Sequence, residues 1–140
     1  MNLYAESSAV LAWLLGEAAA GDVREALGSA ERVVASDLTL IESDRVLIRA
    51  VVTEQVSQAV AAERRSLLAN ASARWVLLPL APEVVDRSRR PFLREPVRTL
   101  DAIHLASALL ARTGLPEIAV LSSDESVRSN GEALGFVILP

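Results

Sequence analysis

The sequence predicts an α/β fold: a parallel sheet of four to five strands, helices on both of its faces and one inserted helical hairpin. Two observations carry that reading. Short apolar runs of strand length alternate with longer helical patterns along nearly the whole chain, which implies right-handed crossovers between parallel strands. Composition agrees, because 51% of the 140 residues are apolar while only 4% are aromatic, a balance that favours close packing over disorder. By length the chain reads as one domain, residues 1–140, able to bury a core without staples.

Residues 2–5 form the first strand, ending in Glu6-Ser7-Ser8. Ser7 or Ser8 can cap a helix over residues 9–15 that Gly16 stops. Strand, acid, hydroxyl cap and helix in that order is the layout of a site at the carboxyl end of a strand, although Glu6 taken alone reads more readily as a solvated loop acid. A second helix, residues 19–27, closes at Gly28. Residues 32–35 form a brief strand, and Ser36 caps a long helix through about Val52. On it Glu42 shares a face with Leu38 and Val46, with Arg45 and Arg49 alongside, so a Glu42–Arg45 ion pair competes with a functional role for the acid. Thr53 interrupts, and a further helix to about Ala73 completes a hairpin expected to stand off the sheet.

Residues 75–80 are a third strand, and Pro82 opens a helix running to about Arg90. Arg87, Arg89, Arg90, Arg94 and Arg98 then crowd a short span that leads straight into Asp101. Such a run is either a solvated face or a phosphate track. The helix that follows is apolar and small-sided, with Thr99 as the expected cap and Asp101 in the first turn, where the helix dipole favours its charge. Gly114 and Pro116 end it. Residues 118–121 are a fourth strand, running into Ser122-Ser123-Asp124. Asp124 opens a helix to Leu134, Gly135 closes that helix, and residues 136–139 are the last strand.

The chain has no cysteine and a single histidine, which removes disulfide frameworks, thiolate zinc sites and multi-histidine metal sites. Any metal would be held by oxygen ligands, hence a hard ion such as Mg²⁺ or Mn²⁺. No signal peptide or membrane span is visible, so a cytoplasmic protein is expected. The net charge of −4 argues against generic nucleic-acid binding. All the basic residues are nonetheless arginine, the better residue for bidentate phosphate contact, although uniform arginine use reads more readily as a consequence of genome composition.

Four acids gain meaning from their positions together. Glu6 and Asp124 each follow a strand directly, and Asp101 and Glu42 lie in early turns of helices that should start at the same sheet edge. Carboxylates converging there would repel one another and raise a pKa unless a cation joined them. A divalent ion would do so and could activate water toward a phosphodiester.

On these residues the chain resembles the PIN-domain nucleases, and within them the VapC-type toxins of bacterial toxin–antitoxin pairs. The matching stretches are Tyr4-Ala-Glu6-Ser-Ser-Ala-Val10, Ser36-Asp-Leu-Thr-Leu-Ile-Glu42-Ser-Asp-Arg45, Arg98-Thr-Leu-Asp101-Ala-Ile-His-Leu-Ala106, and Leu121-Ser-Ser-Asp124 followed by Ala133-Leu-Gly-Phe136. The resemblance implies a three-layer α/β/α sandwich and an Mg²⁺- or Mn²⁺-dependent endoribonuclease. Glu6, Asp101 and Asp124 would be its metal ligands, Glu42 a further catalytic acid, and Ser8 and Ser122 supporting hydroxyls. It also implies a homodimer and a cognate antitoxin; RNA contacts fall to Arg45, Arg94 and Arg98. Glu6 departs from the family, whose first acid is usually Asp, and the extra methylene shifts the carboxylate by about a bond length against the octahedral demands of Mg²⁺. His104, one turn beyond Asp101, reads as a packed residue or one that supports the acids, ahead of a catalytic base. The competing expectation is a catalytically silent PIN-like domain that acts by binding RNA or a partner protein; a metal-dependent phosphatase or DNA nuclease on a similar sheet is a third.

Overall fold

A computed structural model describes residues 1–140. In chain order the elements are β1 (Asn2–Ala5), α1 (Ser7–Leu14), α2 (Ala20–Ser29), β2 (Arg32–Ser36), α3 (Asp37–Val52), α4 (Gln58–Ser72), β3 (Val76–Leu78), α5 (Pro82–Ser88), α6 (Thr99–Gly114), β4 (Ala119–Leu121), α7 (Glu125–Ala133) and β5 (Ile138–Leu139). Five parallel strands pair in the order β3-β2-β1-β4-β5.

The side-chain period of a strand divides the core between two faces. Tyr4, Val34 and Val120 point to one face, where Leu105 and Ala108 of α6, Val127 of α7, Phe92 and Phe136 close over them. Their neighbours in sequence point the other way. Ala5, Val33 and Ala35 meet Val10 and Leu14 of α1 and Leu68 of α4, and Leu3, Ala119 and Leu121 meet Ala9 and Val23. Continuous apolar strands are what a sheet buried on both faces requires.

From β1 the chain moves outward to β2 and β3, then returns to place β4 on the other side of β1. Strand order therefore reverses between β1 and β4, and a crevice opens beyond their carboxyl ends, where open α/β sheets place ligands. Glu6 leaves β1 into that crevice, and Ser122 and Asp124 leave β4 into it.

Several local expectations are corrected. Helix α1 begins at Ser7, and its cap is the Glu6 side chain, which accepts from the Ser8 backbone N–H, not a serine hydroxyl. Thr99 is the first helical residue of α6; Arg98 holds the cap position without a side-chain cap bond. Gly28 lies inside α2, which runs on to Ser29. The hairpin does not stand off the sheet, because Leu68 of α4 is buried in the core with Val10 and Leu14 of α1. Ser36 and Asp124 cap α3 and α7 as expected, and Gly16 and Gly135 take the positive φ that ends α1 and α7.

Candidate active site

Glu6 sits at the centre of the crevice and is almost fully buried. A buried carboxylate must be paired or hydrogen-bonded, and Glu6 meets that demand with neighbouring donors. One oxygen accepts from the Ser7 hydroxyl at 2.9 Å and the Ser8 N–H at 3.1 Å. The other accepts from the Ser122 hydroxyl at 2.7 Å and from the Ser8 hydroxyl. Ser8 in turn accepts from the backbone N–H groups of Ser123 and Asp124, at 2.9 and 3.1 Å. Both serines thus tie the end of β1 to the end of β4.

Asp101 and Asp124 meet at one guanidinium. Arg98 donates through Nε to Asp101 and through a terminal nitrogen to Asp124, each at 3.2 Å. Asp101 is 8% exposed. Burial first, and the negative charge of Asp124 second, raise its carboxyl above the usual range; Arg98 opposes them, and Glu6 adds to the repulsion. The crevice therefore carries an excess of negative charge even with Arg98 in place.

Glu42 joins from α3. Its carboxylate receives the His104 Nε2–H at 2.6 Å and shares with Glu6 the single Ser7 hydroxyl proton, which lies between the two acids with the oxygen 2.9 Å from each. A carboxylate only accepts, so Nε2 carries a proton, and in a neutral ring Nδ1 is then the acceptor for the Tyr4 hydroxyl 2.8 Å away. Burial alone would raise Glu42; the hydrogen bond from His104, the charge of that ring when protonated, and Ser7 outweigh it and hold the carboxyl below its ordinary value. Tyr4 lies fully buried, and desolvation, reinforced by Glu6 and Glu42, pushes its phenol far above the ordinary value. No Glu42–Arg45 ion pair forms, since the acid turns inward to His104.

The arginines are dispersed. Arg45 is exposed on α3 beside Val46, Ile48, Arg49 and Val52. Arg87 lies over the Phe92 ring, 4.0 Å from its centroid, and Arg90 pairs with Asp86. Arg94 reaches Ser129 at 2.8 Å. Of the whole run, only Arg98 touches the acids.

Three residues outside the sequence-derived set hold this arrangement. Tyr4 and Ser7 link His104, Glu42 and Glu6 into one network. Asn130, buried in α7, accepts from the Arg94 N–H and donates to the Arg94 carbonyl, pinning the loop that delivers Arg98. A polar residue on the inner face of a helix was the available signal for Asn130; for Tyr4 there was none, because a strand tyrosine reads as core.

The donor set suits a hard cation in kind, being all carboxylate and hydroxyl oxygen. Asp101 and Asp124, drawn to one positive centre and mutually repelled, fit such an ion. Glu6 fits less directly, since both its oxygens are engaged, and as they stand no three acidic or histidine side chains are gathered around a common point.

A model of the PIN domain matches residues 3–132. Among solved structures the chain is similar to VapC20 of Mycobacterium tuberculosis, a sarcin–ricin loop cleaving toxin, with a TM-score of 0.65 and 17% identity over 96% of each chain. It is also similar to VapBC2 from Rickettsia felis, solved with a DNA fragment from their promoter, with a TM-score of 0.64 and 7% identity over 99% of this chain and 98% of that one. No curated protein matches at a significant level. At these identities the likenesses bear on the fold, and the fold is the expected one. With its crevice of four acids beyond β1 and β4 and a family match over nearly its full length, the chain belongs to the PIN-domain family.

Proposed function

We propose that the chain is a metal-dependent endoribonuclease, a single PIN-like nuclease domain that hydrolyses RNA phosphodiester bonds as the toxin of a cytoplasmic toxin–antitoxin pair. The observation that carries the nuclease reading is the convergence of Asp101 and Asp124 on one cation, with Glu6 and Glu42 in the same crevice. Asp101 and Asp124 would hold Mg²⁺ or Mn²⁺, with Glu6 behind them as a further ligand. When bound, the ion would supply a Lewis acid and lower the pKa of a water. Ser8 and Ser122 fix the Glu6 carboxylate. Glu42, kept ionised by His104, is suited to orienting a water, since an acid with a depressed pKa is a weak base. Arg98 is largely exposed and could exchange its carboxylates for a phosphate, which its planar fork matches; Arg94 and Arg45 would extend that contact along the RNA. A cognate antitoxin and a homodimer complete the reading, and the likeness to VapC20 and VapBC2 supports the toxin assignment.

The test is cleavage of structured RNA with Mg²⁺ and with Mn²⁺ by the wild type, by Asp101→Asn and by wild type in excess EDTA. Cleavage confined to the first is expected; equal residual cleavage in all three would refute the assignment. A second reading is favoured by one specific observation: both Glu6 oxygens are engaged, and Arg98 already bridges the two aspartates where an ion would sit. In that reading the domain is catalytically silent and acts by binding RNA or a partner protein, and calorimetric titration with Mn²⁺ would then show no heat.

A further inference from the structure

At the opposite edge of the sheet, where the strands begin, lies a cleft of about 590 Å³ whose lining includes Trp13, Trp75, Arg24, Arg32, Arg74 and Glu31. Its size is that of a small-ligand site. The lining is unusual for this chain in two ways. It gathers both tryptophans of the sequence. It also brings together three exposed arginines, none of which makes a side-chain hydrogen bond or an ion pair, while Glu31 is taken by the amino terminus at 3.6 Å. Neither indole is covered by a guanidinium, since the arginines that stack on rings do so on Phe92 and Phe136. Neither indole N–H has a protein acceptor.

Except for Glu31, every polar side chain here is a donor, so the matching ligand is rich in acceptors and negatively charged. An acidic peptide satisfies the charge. Two uncovered indoles beside the arginines add a requirement for a flat aromatic group, and base with phosphate is the chemistry that meets both. We propose that this cleft binds a nucleotide unit of single-stranded nucleic acid, its base against an indole and its phosphates on Arg24, Arg32 and Arg74. The site lies across the sheet from the carboxylate crevice and does not depend on cleavage there.

Because the only two tryptophans line the cleft, intrinsic fluorescence reports on it selectively. A short oligoadenylate titrated into the chain in EDTA is expected to quench that fluorescence saturably, with log Kd against log salt rising at a slope of about 2 for three phosphate contacts. Arg24→Gln/Arg74→Gln, at exposed positions, should keep the wild-type circular dichroism and weaken binding about tenfold; Arg32→Gln is the second variant should that pair fail to fold. Absence of quenching would overturn the proposal, as would quenching that the arginine variants leave unchanged. Quenching by a glutamate-rich apolar peptide without any by the oligonucleotide would also overturn it, in favour of protein docking.

Discussion

Asp101 is a residue whose environment works against its charge. Its carboxyl is raised by burial and by Asp124, so its ionised form costs folding free energy, absent below the unfolded value of about 3.9 and fully present above the raised folded value. Asp101→Asn is therefore expected to stabilise the metal-free chain at neutral pH, with the gain closing as pH falls below about 4. Thermal denaturation in EDTA across pH checks this; a destabilised variant would mean that Asp101 serves chiefly as a structural partner of Arg98. Glu42 has the opposite sign. Its pKa is lowered, so its contribution is present above the unfolded value of about 4.3 and lost as pH falls through the depressed folded value. Glu42→Gln should cost about 1 to 2 kcal/mol at pH 7, from the lost hydrogen bonds to an ionised carboxylate, and progressively less as pH falls below the unfolded value, by denaturant titration across pH.

Among the elements, the segment between α5 and α6 decides where Arg98 stands. Asn130 makes two bonds to the backbone of Arg94, at 3.0 and 3.1 Å, and a third to the Ser126 carbonyl at 3.1 Å. Asn130→Ala would leave the half-buried backbone N–H and carbonyl of Arg94 without protein partners and is expected to cost about 1 kcal/mol. It should also speed amide exchange at Arg94 more than in the β1–β4 core, which hydrogen-exchange measurement would reveal. Sequence reasoning placed every helix and strand of the chain, because each carries a period or a stop that is local. It misassigned the caps of α1 and α6, since Glu6 and Arg98 are spent on contacts with residues more than twenty positions away as well as on their own helices. The inward turn of Glu42 toward His104, instead of toward Arg45, has the same origin: ion pairs at helical spacing are weak, and a buried imidazole wins.

At the scale of the whole molecule, two sites of opposite charge lie at the two ends of the strands, the acids beyond the carboxyl ends and the unpaired Arg24, Arg32 and Arg74 where the strands begin. Arg98 belongs to the acidic end and acts there as a resident cation. Under the proposed nuclease reading, Mn²⁺ at a hundred times its Kd should stabilise the chain by about 2.7 kcal/mol, an effect lost in Asp101→Asn/Asp124→Asn. Arg98→Gln should bind Mn²⁺ several-fold more tightly, because a competing positive charge has gone. Calorimetry on the three proteins tests both; weaker binding by Arg98→Gln would show that the guanidinium supports the ion instead of competing with it.

The order of elements, the parallel sheet, the edge at which Glu6 and Asp124 emerge and the kinds of side chain available were all legible in the sequence. They follow from periodicity, stops and the handedness of crossovers, which neighbouring residues encode. Which groups pair was decided only in the tertiary structure. Arg98 bridging two aspartates, His104 claiming Glu42, the four bonds that fill Glu6 and the two tryptophans meeting three arginines all join residues far apart in the chain. Their strength depends on burial and on distances of a few ångströms, and no local pattern in a sequence records either.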